Sequence, residues 1–449
     1  MILSRFFSPL RRCSARVAAV VSCAALVACS RGGTSVDEGP PEPSDLPGGV
    51  YELAGITQSL GSDDLEPLRS IVSTARFVAL RESTHTSAGF YQAKLRLIRF
   101  MVQQMGFRVV LFESNWQEGL AATRYVETCA GTPEDAVAAL FPVWRDANVR
   151  DLLRWMCDWN VSHPADRVTF LGFDVQEPWR VAPGVRDFVQ RAAPAEVART
   201  EPLFRCLGAS HASNQFFVSQ EYREHVAGNR NTAAHQQCMS GIAEMEAWID
   251  ANAPALQGAT SATAVEEARL MLVSLRGWQD QLWIPDPGGY QGRDFGMAAA
   301  IQRLHALHTP GKKAVIWAWN WHIARRYEEV RGFDDDPQRV IPRQGARAMG
   351  GFLTDAFGAD YLPIGLIGYD VQINSGGVTP PLQTHAESVE RRLHDLGRPY
   401  LLVDLRQPLP QTLLPAGPTW RVSQEWGDPY RQFGALVYMH YSAGMTYVQ

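Results

Sequence analysis

The chain has 449 residues, of which 46% are hydrophobic and 20% are charged. This composition supports a large buried core and argues against a disordered or fibrous protein. The formal net charge is −5 at pH 7, and no basic cluster occurs after the first 28 residues, which argues against a nucleic-acid partner.

The N-terminal segment has the layout of an export signal. It is basic, lacks acidic residues and contains an apolar run at residues 17–28. The run ends in Leu26-Val27-Ala28-Cys29, which resembles the lipobox of bacterial lipoproteins, where the cysteine is lipidated after cleavage of residues 1–28. An ordinary signal peptide or an uncleaved anchor is the alternative, but the run is short for a membrane span of roughly 20 residues.

The residues after Cys29 predict a tether. The stretch at 29–49 is rich in Pro, Gly, Ser and acidic residues, which is typical of a flexible linker. Ser30, rather than an aspartate, follows Cys29, and by resemblance to lipoprotein sorting this favours the outer membrane. We therefore expect an exported lipoprotein that faces the periplasm, with a lipid anchor such as palmitate on Cys29 and a folded domain over residues 50–449.

The remaining chain predicts an α/β fold with a parallel β-sheet core flanked by helices. Continuous apolar runs, typical of strands buried on both faces of a parallel sheet, occur at 76–80, 107–112, 168–173, 314–318, 362–367 and 400–405. A helix is predicted at 90–105, with Gly106 as its C-terminal cap. Residues 181–308 predict a largely helical insertion that covers the cleft at the carboxyl ends of the strands.

Four cysteines remain after the signal and the lipidated position. They are Cys129, Cys157, Cys206 and Cys238. Export permits disulfides, and four cysteines allow three pairings. We take the neighbouring pairs, Cys129 with Cys157 and Cys206 with Cys238, as the working hypothesis.

Polar residues follow four of the predicted strands, where open parallel sheets place their ligand sites. They are Arg81, Glu82, Ser83, Thr84 and His85; Glu113, Ser114, Asn115 and Trp116; Asp174 and Gln176; and Trp319, Asn320, Trp321 and His322. Taken singly, each acidic residue or histidine is more often structural. Their recurrence at four strand ends favours a site, with Asp174 equally suited to bonding neighbouring loops.

The helix at 90–105 adds a buried cation to this set. Lys94 lies in the middle of its apolar face and needs an anionic partner or a water-filled cleft, with Glu82 and Glu113 as natural partners. Arg96 and Arg99 fall on the opposite face, where we expect them to be solvated.

These residue types suit hydrolysis by an activated water. His85 would accept the proton while a carboxylate such as Glu82 orients it, and Lys94 or His322 would stabilise the oxyanion. Neither Gly-x-Ser-x-Gly nor His-Glu-x-x-His is present, so a serine hydrolase is disfavoured, with Ser83 and Ser114 as the remaining candidates. We predict no metal and no cofactor, and keep a metal or haem in the cleft as an alternative.

Four sequence blocks resemble the erythromycin esterase family. They are LRESTHTSAGFYQAKLRLIRFMVQQMGFRVVLFESNW from Leu80, FPVWRDANVRDLLRWMCDWN from Phe141, VTFLGFDVQ from Val168 and AVIWAWNWHIAR from Ala314. The resemblance implies an α/β core under a helical part and metal-independent hydrolysis of esters, including macrolide lactones. By position it implies His85 as the base on water, Glu82 and Glu113 as active-site carboxylates, and His322 as the later histidine.

The chain departs from the family pattern at three positions. Arg81 replaces a glycine, Lys94 stands where arginine is usual, and Trp319 replaces the first histidine of a His-Asn-x-His segment. Lysine keeps the charge but lacks the planar fork of arginine. Trp319 and Trp321 predict either an aromatic surface for an apolar substrate or rings packed under the helical part.

We therefore expect a monomeric esterase or lactonase for macrolide-like or other bulky apolar esters. The residues predicted to contact the substrate are Arg81, Trp116, Asp174, Gln176, Trp319, Asn320 and Trp321. The alternative is a binding lipoprotein in which Arg81 and Trp319 have disabled the chemistry and the cleft holds a hydrophobic ligand.

Overall fold

An eight-stranded sheet forms the centre of the protein. The computed structural model describes residues 45–176, 178–205, 233–284, 287–331, 345–373, 388–414, 420–422 and 425–448. The strands are β1 Val50–Glu52, β2 Phe77–Leu80, β3 Phe107–Asn115, β4 Thr169–Asp174, β5 Lys313–Trp317, β6 Tyr361–Val371, β7 Tyr400–Asp404, β8 Trp420–Val422, β9 Glu425–Gly427 and β10 Ala435–Ser442. Of these, β8 and β9 form a separate two-stranded ladder.

The strand order of the main sheet is β1-β7-β10-β6-β2-β5-β3-β4. Pairing is parallel from β10 through β4, and β7 is antiparallel to both of its neighbours. The four strands that precede the predicted site residues, β2, β5, β3 and β4, are therefore consecutive and parallel. Their carboxyl ends lie at the same edge of the sheet.

Two apolar layers cover the sheet because successive side chains of each strand point to opposite faces. In β2, Val78 and Leu80 belong to one buried cluster, whereas Phe77 and Ala79 belong to the other. The strands are buried on both faces, which explains why they are continuous apolar runs rather than alternating patterns.

Helices surround the sheet on both faces. They are α1 Glu66–Val72, α2 Ala88–Met105, α3 Trp116–Thr128, α4 Pro133–Ala138, α5 Ala147–Ser162, α6 Pro178–Ala192, α7 Glu201–Arg205, α8 Ala233–Ala259, α9 Ala262–Trp283, α10 Gly288–His308, α11 Asn320–Ile323, α12 Met349–Phe357, α13 Val389–His394 and α14 Pro429–Gln432. Short 3-10 helices occur at Asp63–Leu65, Pro142–Trp144, Pro194–Thr200, Tyr327–Glu329 and Gly358–Asp360.

The predicted α/β class and the mostly parallel sheet are confirmed. All six predicted strands are present with small shifts in their ends, and the predicted helix is α2, which ends at Gly106 with a φ of 74°. The parallel direction expected for residues 400–405 is wrong, because β7 runs antiparallel. Every described element between β4 and β5 is helical.

Arg96 was expected in solvent, and the structure contradicts this. Its side chain is 5% exposed, and Nη1 lies 2.9 Å from Asp64 Oδ2 and donates to the backbone oxygen of Gly55. The loop that precedes α1 covers this face of α2, so both faces of the helix are buried.

Cys129 and Cys157 form a disulfide that joins the end of α3 to α5, with 5.5 Å between their Cα atoms. The signal segment, Cys29 and Cys206 lie outside the described residues. Residues Leu46–Gln449 form one compact unit. Among the described helices, none combines the length and apolar character needed to cross a membrane.

Candidate active site

A bulge in β3 shapes the edge where the site residues meet. The register of β3 against β4 shifts between Phe112 and Asn115, so Glu113 and Ser114 lie in the irregular segment. A Cβ atom on Gly172 of β4 would lie 2.6 Å from the backbone oxygen of Asn115, so this close approach requires glycine.

Glu82, at the end of β2, holds a histidine and a lysine at once. Its Oε1 lies 3.1 Å from Nδ1 of His85, and its Oε2 forms an ion pair with Lys94 Nζ. Lys94 is fully buried, and its ammonium donates to the backbone oxygen of Ala318 at 3.2 Å and lies 4.5 Å from the centroid of the Trp317 ring. Burial lowers the pKa of Lys94 well below its usual value, and the charge of Glu113 opposes this shift only in part.

His85 presents its ring to a cleft. The ring centroid lies 4.7 Å from that of Trp144 and 4.8 Å from that of Trp319, and the side chain is 22% exposed. Burial lowers the pKa of His85 to about 4, so the ring is neutral at pH 7. With Nδ1–H donating to Glu82, the tautomer leaves the Nε2 lone pair available.

Glu113, in the β3 bulge, is held by a backbone N–H and by two cationic side chains. Its Oε2 accepts from the backbone N–H of Trp319 at 2.6 Å, and its Oε1 lies 3.3 Å from His322 Nε2 and 3.4 Å from Arg293 Nη2. Burial alone would raise the pKa of Glu113, but the charges of His322, His85 and Arg293 together lower it to about 2. The carboxylate is therefore ionised across the physiological range.

His322, on α11, lies between two carboxylates. Its Nδ1 is 2.9 Å from Asp294 Oδ1, which also accepts from the backbone N–H of Met349. Burial lowers the pKa of His322, but Asp294 and Glu113 outweigh it and raise the pKa to about 9. His322 is therefore an imidazolium at pH 7, opposite in charge state to His85.

Asp174, at the end of β4, orients an arginine from the helical part. Arg293 donates from Nε to Asp174 Oδ1 at 3.1 Å and from Nη2 to Oδ2 at 2.5 Å. Asp174 also accepts from the backbone N–H of Val175 and from the side chain of Gln176. Asp174 is fully buried, which supports a structural role for it more strongly than contact with a substrate.

A cleft of about 1120 Å³ opens at this edge of the sheet. Of the residues predicted for the site, His85, Glu113, Gln176 and Trp319 line it. New wall residues come from the segment around Pro142–Trp144 and from α3, α6 and α10, among them Phe141, Trp144, Trp179 and Arg293.

Several predicted contact residues do not line the cleft. Trp116 packs in the buried cluster that also contains Phe77 and Ala79 of β2. Trp321 stacks on Trp319 with 4.2 Å between the ring centroids, and the Arg81 guanidinium lies over the ring of Phe433. All three are nearly fully buried. The side chain of Asn320 lies outside what the structure describes.

Neither predicted oxyanion donor reaches the cleft. Lys94 is occupied by Glu82, and His322 is 3% exposed and borders a separate cavity of about 10 Å³. Ser83 and Ser114 are also buried, with the Ser83 hydroxyl donating to the backbone oxygen of Leu366 and the Ser114 hydroxyl accepting from the backbone N–H of Phe141.

Arg293 and Asp294 were missed by the sequence analysis. They lie in the first half of α10, far along the chain from any strand end, so the search for polar residues after apolar runs did not include them. The available signal was an adjacent charged pair within the glycine- and alanine-rich stretch GGYQGRDFGMAAA.

A metal ion would compete with cationic side chains for the carboxylates of this site. Glu82, His85 and Glu113 each offer a ligand atom within 4.8 Å of the others. However, Lys94 already forms an ion pair with Glu82, while His322 and Arg293 form ion pairs with Glu113. A divalent cation would have to displace these bound cations, so the donor set does not favour a metal.

Known proteins share sequence similarity with this chain. "Erythromycin esterase type II" of Escherichia coli is 28% identical over 113 residues, which is 25% of this chain and 26% of that protein. The match thus spans about a quarter of that relative's length. The putative hydrolase YbfO of Bacillus subtilis (strain 168) is 22% identical over 359 residues, 76% of each chain.

Solved structures share the fold. A Bacillus cereus protein superimposes with a TM-score of 0.70 at 18% identity, covering 89% of this chain and 97% of that one. An erythromycin esterase mutant in its open conformation gives 0.67 at 18% identity, covering 89% and 99%. The family profile described as erythromycin esterase matches residues 102–444, which is most of the chain. This chain therefore belongs to the erythromycin esterase family.

Proposed function

We propose that this protein hydrolyses carboxylic esters or lactones with water activated by His85 and without a metal ion. The observation that carries the proposal is a neutral histidine at the cleft wall, oriented by the buried carboxylate of Glu82. Its family membership and the large, aromatic-walled cleft support a bulky apolar substrate, including macrolide-like lactones.

In the proposed reaction, a water molecule lies between Nε2 of His85 and the carbonyl carbon of the ester. Nε2 accepts a proton as the water oxygen bonds to the carbon, and Glu82 stabilises the resulting imidazolium. When the tetrahedral intermediate collapses, the ester C–O bond breaks and the leaving oxygen takes the proton back from His85. Lys94 acts indirectly, because it holds the Glu82 carboxylate in place.

Arg293 is the best-placed group to stabilise the oxyanion. Its Nε and Nη2 are fixed by Asp174 and Glu113, it lines the cleft, and its Nη1 has no hydrogen-bond partner within the described part of the chain. A guanidinium fixed in this way has little to reorganise when negative charge develops on the substrate.

The experiment is hydrolysis of a macrolide and a set of aryl and lactone esters by the full chain in detergent, with and without EDTA. Replacing His85 by alanine should lower a chelator-resistant rate by about a hundredfold or more. His308→Ala is the matched control, because His308 is exposed at the end of α10 away from the cleft. An unchanged rate in His85→Ala, or a rate abolished by EDTA, would contradict the mechanism.

A ligand-binding function without turnover is the second candidate. It is favoured by Trp319, whose ring contacts His85 at the cleft wall where the family pattern has a histidine. Binding of a macrolide measured by tryptophan fluorescence, together with no hydrolysis by the native protein of any ester in the set, would favour this candidate.

We also propose that the protein is exported and anchored through a lipid on Cys29, on the strength of the Leu26-Val27-Ala28-Cys29 sequence alone. Mass spectrometry of the mature N-terminus should find a lipidated cysteine, and Cys29→Ala should remove the lipid. An unmodified Cys29 in the membrane fraction would contradict this proposal.

A further inference from the structure

The charged residues of the cleft are predominantly arginines. Arg124, Arg145, Arg180 and Arg293 line it, whereas its acidic residues are Glu113 and Glu118. Glu113 is already paired with His322 and Arg293. The chain as a whole has a net charge of −5, so this excess of positive charge is a local property of the cleft.

The arginines at the mouth are largely available to a ligand. Arg124 is exposed and forms no ion pair with any described residue. The side chain of Arg145 reaches only the backbone oxygen of Leu140, at 3.4 Å. Arg180 is half exposed and lies 3.6 Å from Glu118, which also accepts from the side chain of Asn115.

The arginines come from different elements that face the same space. Arg124 belongs to α3, Arg145 follows the Pro142–Trp144 turn, and Arg180 belongs to α6. A low-dielectric cleft lined by one sign of charge focuses the field and raises the local concentration of ligands of the opposite sign. Arg293 is already held by Asp174 and Glu113, so the three arginines at the mouth, Arg124, Arg145 and Arg180, are the ones that favour an anion over a neutral or cationic group.

The remaining wall is apolar and aromatic. Leu140, Phe141, Trp144, Trp179 and Trp319 line the same cleft, whose volume of about 1120 Å³ admits a ligand larger than a simple acyl ester. A ligand that fits this surface has an extended apolar body and an anionic group that reaches the mouth arginines.

We propose that the substrate is an amphiphilic ester or lactone that carries a carboxylate, sulfate or phosphate group on a bulky apolar body. This proposal rests on the ester hydrolysis proposed above. The apolar body would pack on the tryptophans, its anion would pair with Arg124, Arg145 and Arg180, and the ester carbonyl would lie near His85 and Arg293.

The test measures binding separately from hydrolysis. Three non-cleavable amides share one aryl-alkyl body and end in a carboxylate, a carboxamide or a trimethylammonium group, and their Kd values for the full chain are measured by calorimetry. We expect the carboxylate to bind about tenfold tighter than the carboxamide at low salt, with the trimethylammonium weakest. Amides that end in a sulfate or a phosphate monoester rank the three anions.

Variants locate the preference in the cleft. Arg124→Gln should reduce the carboxylate-to-carboxamide ratio about threefold, and Arg124→Glu about tenfold. Arg191→Gln and Arg191→Glu are the matched controls, because Arg191 is exposed on α6 without an ion pair to the described residues and lies outside the cleft. The native preference should also shrink as ionic strength rises from about 0.01 M to about 1 M, where the Debye length falls to roughly 3 Å.

Four outcomes would overturn the proposal. The three amides could bind equally, the trimethylammonium amide could bind most tightly, or none of the amides could bind. The Arg191 variants could also lose the preference as much as the Arg124 variants do. These outcomes do not depend on turnover, because the amides are not cleaved. A preference for the anion in a protein that hydrolyses none of the matching esters would instead refute the proposed esterase and leave the binding inference standing.

Discussion

The two histidines of the site are held in opposite protonation states by their neighbours. His85 meets aromatic rings and one carboxylate, and burial keeps it neutral, whereas His322 lies between two carboxylates and is charged. A base and a fixed cation can therefore operate at the same pH.

This difference predicts a bell-shaped pH profile of kcat/KM for a neutral ester. Activity should fall as pH drops through about 4, where His85 becomes protonated, and as pH rises through about 9, where His322 loses its charge. When His322 is neutral, Arg293 is the remaining cation that pairs with Glu113. The Glu113 carboxylate then attracts the guanidinium of Arg293 more strongly, and Arg293 stabilises the oxyanion of the substrate less well. An alkaline limb that persists unchanged in His322→Gln would contradict the assignment.

Lys94 permits a second prediction. Because its ammonium and the Glu82 carboxylate are both fully buried, Lys94→Met leaves a buried charge without its partner and should lower the free energy of unfolding by about 3–5 kcal/mol. Urea unfolding measures this change. The double variant Lys94→Met/Glu82→Gln removes both charges and should recover part of the loss.

The matched control is Lys313→Met. Lys313 is half-buried, and its Nζ donates to the backbone oxygen of Met105 at 3.4 Å and lies 5.5 Å from the centroid of the Phe107 ring. It forms no ion pair with the described residues, so the change should cost less than about 1 kcal/mol. Equal destabilisation by the two lysine variants, or no recovery in the double variant, would show that Lys94 does not stabilise Glu82.

At the scale of single residues, sequence predicted the types but not the orientations. Glu82, His85, Glu113 and His322 were found because they follow strands, and strand ends converge by topology. Whether a side chain faces the cleft depends on neighbours from distant segments, which is why Lys94 and His322 were expected to contact substrate and do not.

At the scale of elements, helix α10 determines how Arg293 and Asp294 reach the sheet edge. It packs closely on α9, because a Cβ atom on Gly296 would lie 3.2 Å from the Cα atom of Gly277 and 3.4 Å from Val175. The absence of side chains at this crossing lets the two helices approach and places Arg293 against Asp174.

Gly296→Leu should therefore separate α9 from α10. We expect a loss of about 1–3 kcal/mol in the free energy of unfolding and a larger fall in esterase kcat/KM than the stability loss alone would cause. Gly258→Leu is the control, because Gly258 is exposed in α8 with open space around its Cβ position and leucine has the higher helix propensity. A harmless Gly296→Leu would show that the crossing is not tight.

Helices and strands were predicted correctly where the local sequence determines them. Buried strands and the capped helix α2 are visible in apolar runs and in Gly106, but the direction of β7 is set by its connection and not by its composition. The strand Ala435–Ser442 was missed because polar and exposed residues at its end interrupt the apolar run. Burial of Arg96 was missed because the segment that precedes α1, with the short 3-10 helix Asp63–Leu65, covers it.

At the scale of the whole molecule, fold class followed from the alternation of strands and helices, and family from four short blocks in the right order. The cleft could not be predicted, because its walls combine α3, α6, α10 and the segment around Pro142–Trp144, whose proximity depends on tertiary packing. Its arginines are scattered through the sequence and form no visible cluster there.

The opposite charge states of the two histidines also predict how global stability depends on pH. The pKa of His322 is raised from 6.5 to about 9, so its contribution is fully present below pH 6.5 and is lost as pH rises through about 9. The pKa of His85 is lowered from 6.5 to about 4, so stability falls as pH drops from 6.5 towards 4, where the unfolded chain binds a proton that the folded chain does not.

The free energy of unfolding should therefore be greatest near pH 6.5. It should fall by roughly 3 kcal/mol on the acidic side because of His85 and by a similar amount on the alkaline side because of His322. Urea unfolding of the full chain at intervals from pH 4 to pH 10 measures the curve. His322→Gln should flatten its alkaline side and His85→Gln its acidic side, because each variant removes one titrating group. If both variants keep the native slopes, other groups control the pH dependence and the charge states assigned to the two histidines are wrong.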